Sequence, residues 1–236
     1  TGIHPLPPHA AVPIAGAFTL PADAILARTA KKRSQLGLTT LAREGTRTSA
    51  DGTKVRFREV MRTGKGRKVE LLDGAVVTDV ELTTRAGKRY RYKPGKGPGV
   101  PEQAPPDPVV VFLLSSSRDP GGQKGMAFLR KAGIDHKTTA MGRQDRNLAF
   151  IIGAKSWETE RAQIWLDQET YAPLRLVSFQ GETRHETRLH GFGSPLTQGY
   201  FPRMIERYVD GKLVERMTYD KIELNPSVDD GALAPG

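Results

Sequence analysis

Between Leu38 and Lys93 apolar and charged residues alternate with a period of two, and glycine turns break the pattern at short intervals. Val55, Phe57 and Met61 alternate with Lys54, Arg56, Arg58 and Arg62; Val76, Val80 and Leu82 alternate with Asp79 and Glu81; Tyr90 and Tyr92 alternate with Arg89, Arg91 and Lys93. Side chains two apart share one face of a strand, so each run reads as a strand with one apolar face. Turn signals at Asp51-Gly52, Gly64 to Gly66, Asp73-Gly74 and Ala86-Gly87 fit hairpins, which predicts a meander of four or five antiparallel strands.

The pattern returns after Asn147, over 147–153, 162–168, 173–180, 183–190, 202–209 and 212–224, with Asp210-Gly211 as a hairpin turn. Three segments between and before these blocks read as helices. The first follows Pro21, placed at the first helical position, and ends at Gly37; the second is Val109 to Ser116; the third is GGQKGMAFLRKAGI, with Gly133 past its end. The run Val109-Val110-Val111 fits a strand equally well. Strands grouped in blocks exclude a doubly wound parallel sheet, where strand and helix would alternate. The expected fold is mainly β (α+β): one large curved antiparallel sheet of about ten strands, with three helices across one face enclosing an apolar space.

Five prolines in residues 1–21 suit an extended tether, and residues 22–236 are expected to form a single domain with a Pro-rich loop at 94–108. The chain starts at Thr1 with no leader-like segment after it, so a targeting segment is expected to have been removed. The absence of cysteine excludes disulfides and thiol chemistry, and fits export followed by a Pro-rich spacer. The longest apolar run, Val109 to Leu114, is far short of a spanning helix.

No catalytic constellation emerges. In GETRHETRLHG the histidines His185 and His190 are five apart in a predicted strand, which sends them to opposite faces instead of toward one ion. MRTGKGRK and GFGSPL lack the remaining residues of phosphate-binding loops, and Ser115 to Ser117 have no nucleophile elbow. A non-enzymatic protein without metal or cofactor is expected.

The charge is uneven. Residues 28–96 hold 19 basic and 7 acidic side chains, whereas the rest of the chain holds 17 and 19. In KVRFR and RYRYK the basic residues should occupy one sheet face, with Val55, Phe57, Tyr90 and Tyr92 on the other. Such a face is either a solvated exterior or a surface for anions: a headgroup layer, an acidic protein or nucleic acid.

The segments IWLDQETYAPLRLVSF (164–179) and FPRMIERYVDGKLVERMTYDKIELNPSVDDGAL (201–233) resemble the LolA and LolB superfamily of bacterial lipoprotein-sorting and lipid carrier proteins. Trp165 and Asp167 before a turn, Pro173-Leu174, Phe201-Pro202, Asp210-Gly211 and Glu223 to Pro226 carry the resemblance, which covers 147–233. It implies an incomplete β-barrel whose hydrophobic cavity takes acyl chains in the periplasm. A monomer is expected, and the N-terminal tether, which departs from these carriers, offers a membrane anchor. On that basis Val55, Phe57, Val69, Leu71, Tyr90, Tyr92, Phe112, Leu113, Met126 and Leu129 are expected to line the cavity. Arg56, Arg58, Lys68, Arg89 and Arg91 are expected to form one surface for an anionic membrane or an acidic partner. A sensor or interaction module on the same fold is the first alternative and a basic nucleic-acid-binding protein ranks below it; nucleic acid is not an expected partner.

Overall fold

The computed structural model describes residues 19–35, 37–103, 107, 109, 112–113, 122–193 and 201–233. Most of the expected tether, and part of the segment 109–116, lie outside these residues. Helix α1, Ala22–Ser34, has Pro21 as its N-cap, one position earlier than expected, and a basic last turn (Lys31, Lys32, Arg33) that complements the helix dipole. Strands β1 (Thr40–Ser49), β2 (Lys54–Arg62), β3 (Gly66–Asp73), β4 (Val76–Thr84) and β5 (Lys88–Tyr92) form the expected meander. Two short segments escaped the alternation: β6, Glu102–Gln103, inside the Pro-rich loop, and β7, Thr139–Gln144. Helix α2, Gln123–Lys131, lies between them, and Val109, Phe112 and Leu113 have helical backbone, not the strand their β-branched run allows. Strands β8 (Asn147–Ile152), β9 (Gln163–Asp167), β10 (Pro173–Gln180), β11 (Thr183–His190), β12 (Met204–Val209) and β13 (Lys212–Leu224) complete the sheet, followed by a 3-10 turn, Asp230–Leu233.

All 13 strands join one open sheet in the order β6-β5-β4-β3-β2-β1-β13-β12-β11-β10-β9-β8-β7, rather than the ten expected. The two blocks meet where β1 pairs antiparallel with β13, Leu41 opposite Leu224 and Thr48 opposite Arg216. Facing partners point to the same side, which makes the apolar faces of both blocks continuous. Helix residues Ile25, Leu26, Phe112, Leu113, Phe128 and Leu129 are buried in one cluster with Leu41, Phe57, Met61, Met217 and Tyr219. The helices therefore lie across the sheet's inner face. A Cβ on Gly122 would stand 2.9 Å from the Ala27 nitrogen, so glycine at the start of α2 permits its close approach to α1.

The outer face is also partly buried, which a single-face pattern does not anticipate. Val80 and Leu82 point outward from β4 and are nearly inaccessible, and the 3-10 turn packs beside neighbouring β3. On β9, Trp165 is enclosed beneath the Arg175 guanidinium, 5.3 Å from its ring, and donates its indole N–H to Gln163.

Candidate functional site

The inner face of the first block meets that of β10 to β13 at an open cleft of about 1030 Å³, the upper end of the range for small-molecule sites. Its floor is apolar: Phe57, Met61, Val69, Leu71, Leu176 and Met217. Its walls are charged, with Arg47, Arg67, Arg89, Arg91 and Arg207 facing Glu81, Asp107 and Glu215.

Strand register explains this composition. Phe57 lies opposite Leu71, Val69 opposite Glu81, and Glu81 opposite Arg91, while Arg67, Thr83 and Arg89 form a second row on the same side. The inward residues of β5 are thus the arginines. Tyr90 lies opposite Leu82 and Tyr92 opposite Val80, on the outer side with Arg58 and Lys68. The expected grouping of Tyr90 and Tyr92 with Phe57, and of Arg89 and Arg91 with Arg56, Arg58 and Lys68, is therefore reversed. Alternation fixes relative faces within a strand, and only cross-strand register relates one strand to the next.

Of the expected lining residues, Phe57, Val69 and Leu71 face the cleft, and Tyr92, outward by register, borders it only at the β5 edge. Val55 is half-buried opposite Arg47 on the inner face, and Tyr90 lies outward; neither borders it. Phe112, Leu113 and Leu129 are buried in the core, with Met126 packed against it, so the helices' apolar residues serve helix-to-sheet packing and do not line the cleft. The expected anion-facing residues split in the same way. Arg56 pairs with Asp220, and Arg58 and Lys68 with Glu70, on the outer face. Arg89 pairs with Glu102 at 3.0 Å and Arg91 with Glu81 at 3.2 Å on the inner side. They do not form one surface.

Beneath the cleft lies a buried charge cluster. The Glu59 carboxylate, fully enclosed, accepts from Arg43 Nη2 at 2.7 Å and Arg67 Nε at 2.5 Å. Arg43 also stacks on the Tyr219 ring, 4.4 Å to the centroid, and Tyr219 meets Phe57 edge-on. Burial pushes the Glu59 carboxyl up, but the charges and hydrogen bonds of Arg43 and Arg67 outweigh it and hold the group at about 2. Burial drives the Tyr219 hydroxyl up to about 12, keeping it neutral. Arg207 extends the network by pairing with both Asp107 and Glu215. The sequence carries a signal for this cluster: Glu59 has the parity of Phe57 and Met61, and an acid on an apolar stripe needs a buried cation. Arg43, with the parity of Leu41, provides it.

On β11, His185 and His190 do lie on opposite faces, His185 at the cleft and His190 beside Glu206 at 3.3 Å. Glu186 between them is a buried outer-face hub for Arg175, Arg184 and Arg188. Among the described residues no helix is long and apolar enough to cross a membrane.

The open sheet and its inner helices form a fold similar to that of solved LolA superfamily and lipoprotein-sorting proteins. A LolA superfamily protein from Nitrosomonas europaea aligns over 92% of this chain and 98% of its own, with a TM-score of 0.52 at 12% identity. An outer membrane lipoprotein-sorting protein domain from Vibrio parahaemolyticus aligns over 88% and 95%, with a TM-score of 0.52 at 9% identity. A DUF1329 family protein from Desulfovibrio piger aligns over 92% and 98%, with a TM-score of 0.53 at 11% identity. The likeness is one of fold. Comparison with protein-family models gives no match, and comparison with curated proteins gives none.

Proposed function

We propose that this chain is a non-enzymatic periplasmic carrier or acceptor in envelope trafficking, binding acyl chains of lipids or lipoproteins in the cleft. The observation that supports this most is the apolar floor of Phe57, Met61, Val69, Leu71, Leu176 and Met217, open to solvent on a LolA-like sheet. Burial of about eight methylenes there contributes about 6 kcal/mol, enough for reversible capture without a covalent step. The lipoprotein-sorting description of a structural relative agrees with such a cargo. Outward-facing Arg56, Arg58 and Lys68 outnumber their partners Asp220 and Glu70, and this basic excess attracts the carrier to an anionic membrane surface, screened by salt.

Native mass spectrometry of the full chain purified without detergent tests the reading. The expected result is a bound amphiphile that is lost in Leu71→Lys, a substitution at a half-buried position that leaves the fold intact. A chain that is always empty and fails to take up added lipid refutes it.

A further inference from the structure

One end of the cleft is built for more than an apolar chain. The antiparallel order brings the β2–β3 turn (63–65) and the β4–β5 turn (85–87) to the same end of the sheet, where the Arg85 amide donates to the Lys65 carbonyl at 2.9 Å. Both turns contribute lining residues, among them Thr63, Lys65, Thr84 and Arg85. Two polar atoms on the inner side at this end are shielded from solvent and lack a hydrogen-bond partner, Thr63 Oγ1 and Arg89 Nε; Thr84 Oγ1, also unpaired, shares the outward parity of Leu82. A buried polar atom left unpaired costs about 1–3 kcal/mol, so two together mark a place where a ligand completes the bonding. Both can donate a hydrogen bond, and the neighbouring cations Lys65 and Arg85 favour a negative acceptor. Met61 and Val69 of the apolar floor border the same cleft.

From this juxtaposition we infer that the cleft recognises an amphiphile with an anionic head, a phosphate or carboxylate held by Thr63 and Arg89 while its acyl chain lies on the apolar floor. The inference rests on the proposed acyl-binding reading and adds to it the class of headgroup. It also gives a role to the inward turn of Arg89, whose Nη2 is already occupied by Glu102 while Nε remains open.

Hexadecyl phosphate, hexadecanol and inorganic phosphate, each competing with a bound fluorescent fatty-acid probe on the full chain, separate the possibilities. Hexadecyl phosphate is expected to displace the probe at least tenfold more effectively than hexadecanol, with inorganic phosphate weaker than both. The double variant Thr63→Val, Arg85→Ala is expected to bring the two alkyl ligands within about twofold by weakening the phosphate and not the alcohol. This comparison needs no residue of the buried core to change, and circular dichroism confirms that the variant is folded. Equal displacement by hexadecyl phosphate and hexadecanol in the unmodified chain overturns the headgroup inference and leaves acyl binding standing. If neither alkyl ligand binds, both readings fail. Inorganic phosphate acting as well as hexadecyl phosphate, with hexadecanol inert, makes the site one for free oxyanions and overturns the amphiphile.

Discussion

Replacing Glu59 by Gln removes one charge from the Arg43–Glu59–Arg67 cluster while keeping the side chain's shape. Glu59 has no exposed surface and Arg43 only 1%, so the remaining guanidinium cannot recover water. Breaking a buried pair from one side costs about 3–5 kcal/mol. The carboxyl's displacement from 4.5 to about 2 gives a similar figure, on the order of 3 kcal/mol. The sign follows from the direction. A depressed carboxyl stabilises the fold fully above its unfolded value near 4.5 and loses that contribution as pH falls toward 2. Urea unfolding followed by the fluorescence of buried Trp165 should therefore show Glu59→Gln less stable by about 3 kcal/mol at pH 7. Between pH 4.5 and 2 the unmodified chain should lose stability more steeply, so the two curves converge. A loss under about 1 kcal/mol, the scale of a surface pair, or parallel curves across that window, would refute the reasoning.

Other outcomes follow from the same geometry. Gly45 lies at the β1–β13 irregularity, where a Cβ would meet the Thr218 carbonyl oxygen at 2.0 Å; Gly45→Ala should therefore cost more than about 2 kcal/mol in urea unfolding. Glu186→Gln on the outer face strands three arginines, and because burial raises this carboxyl while those arginines lower it further, the unmodified chain's advantage should shrink as pH falls below the ordinary carboxylate range in thermal melts. Arg56→Ala, at a half-exposed ion pair, should change stability by less than about 1 kcal/mol in the same melts. Charge reversal at Arg56, Arg58 and Lys68 should reduce co-sedimentation with anionic vesicles at low salt and leave neutral vesicles unaffected, whereas equal binding before and after reversal leaves the outer-face charge without a membrane role.

The strand blocks, their hairpins and their union into one antiparallel sheet were legible because alternation and turn chemistry are local. β6 and β7 were not. Two residues are too few to show a period, and TAMGRQ buries three consecutive residues instead of alternating. The site was harder to read because it depends on register. KVRFR and RYRYK look alike, yet their apolar residues face opposite sides of the sheet, since Tyr90 pairs with Leu82 and Phe57 with Leu71. Val80 and Leu82 shared parity with those tyrosines through β4, and recognising a second buried layer there would have turned Arg89 and Arg91 inward. The helices misled in another way: Phe112, Leu113 and Leu129 are apolar because they seat the helices on the sheet, a need that precedes any ligand.

The central claim is that acyl chains occupy the inner cleft, and photocrosslinking tests it most directly. A long-chain fatty acid carrying a terminal diazirine, bound to the full chain, irradiated and mapped by peptide mass spectrometry, should label the segments holding Phe57, Met61, Leu176 and Met217. Excess unlabelled fatty acid should abolish that labelling. Labelling confined to the outer face, or equal labelling with and without competitor, would contradict the account.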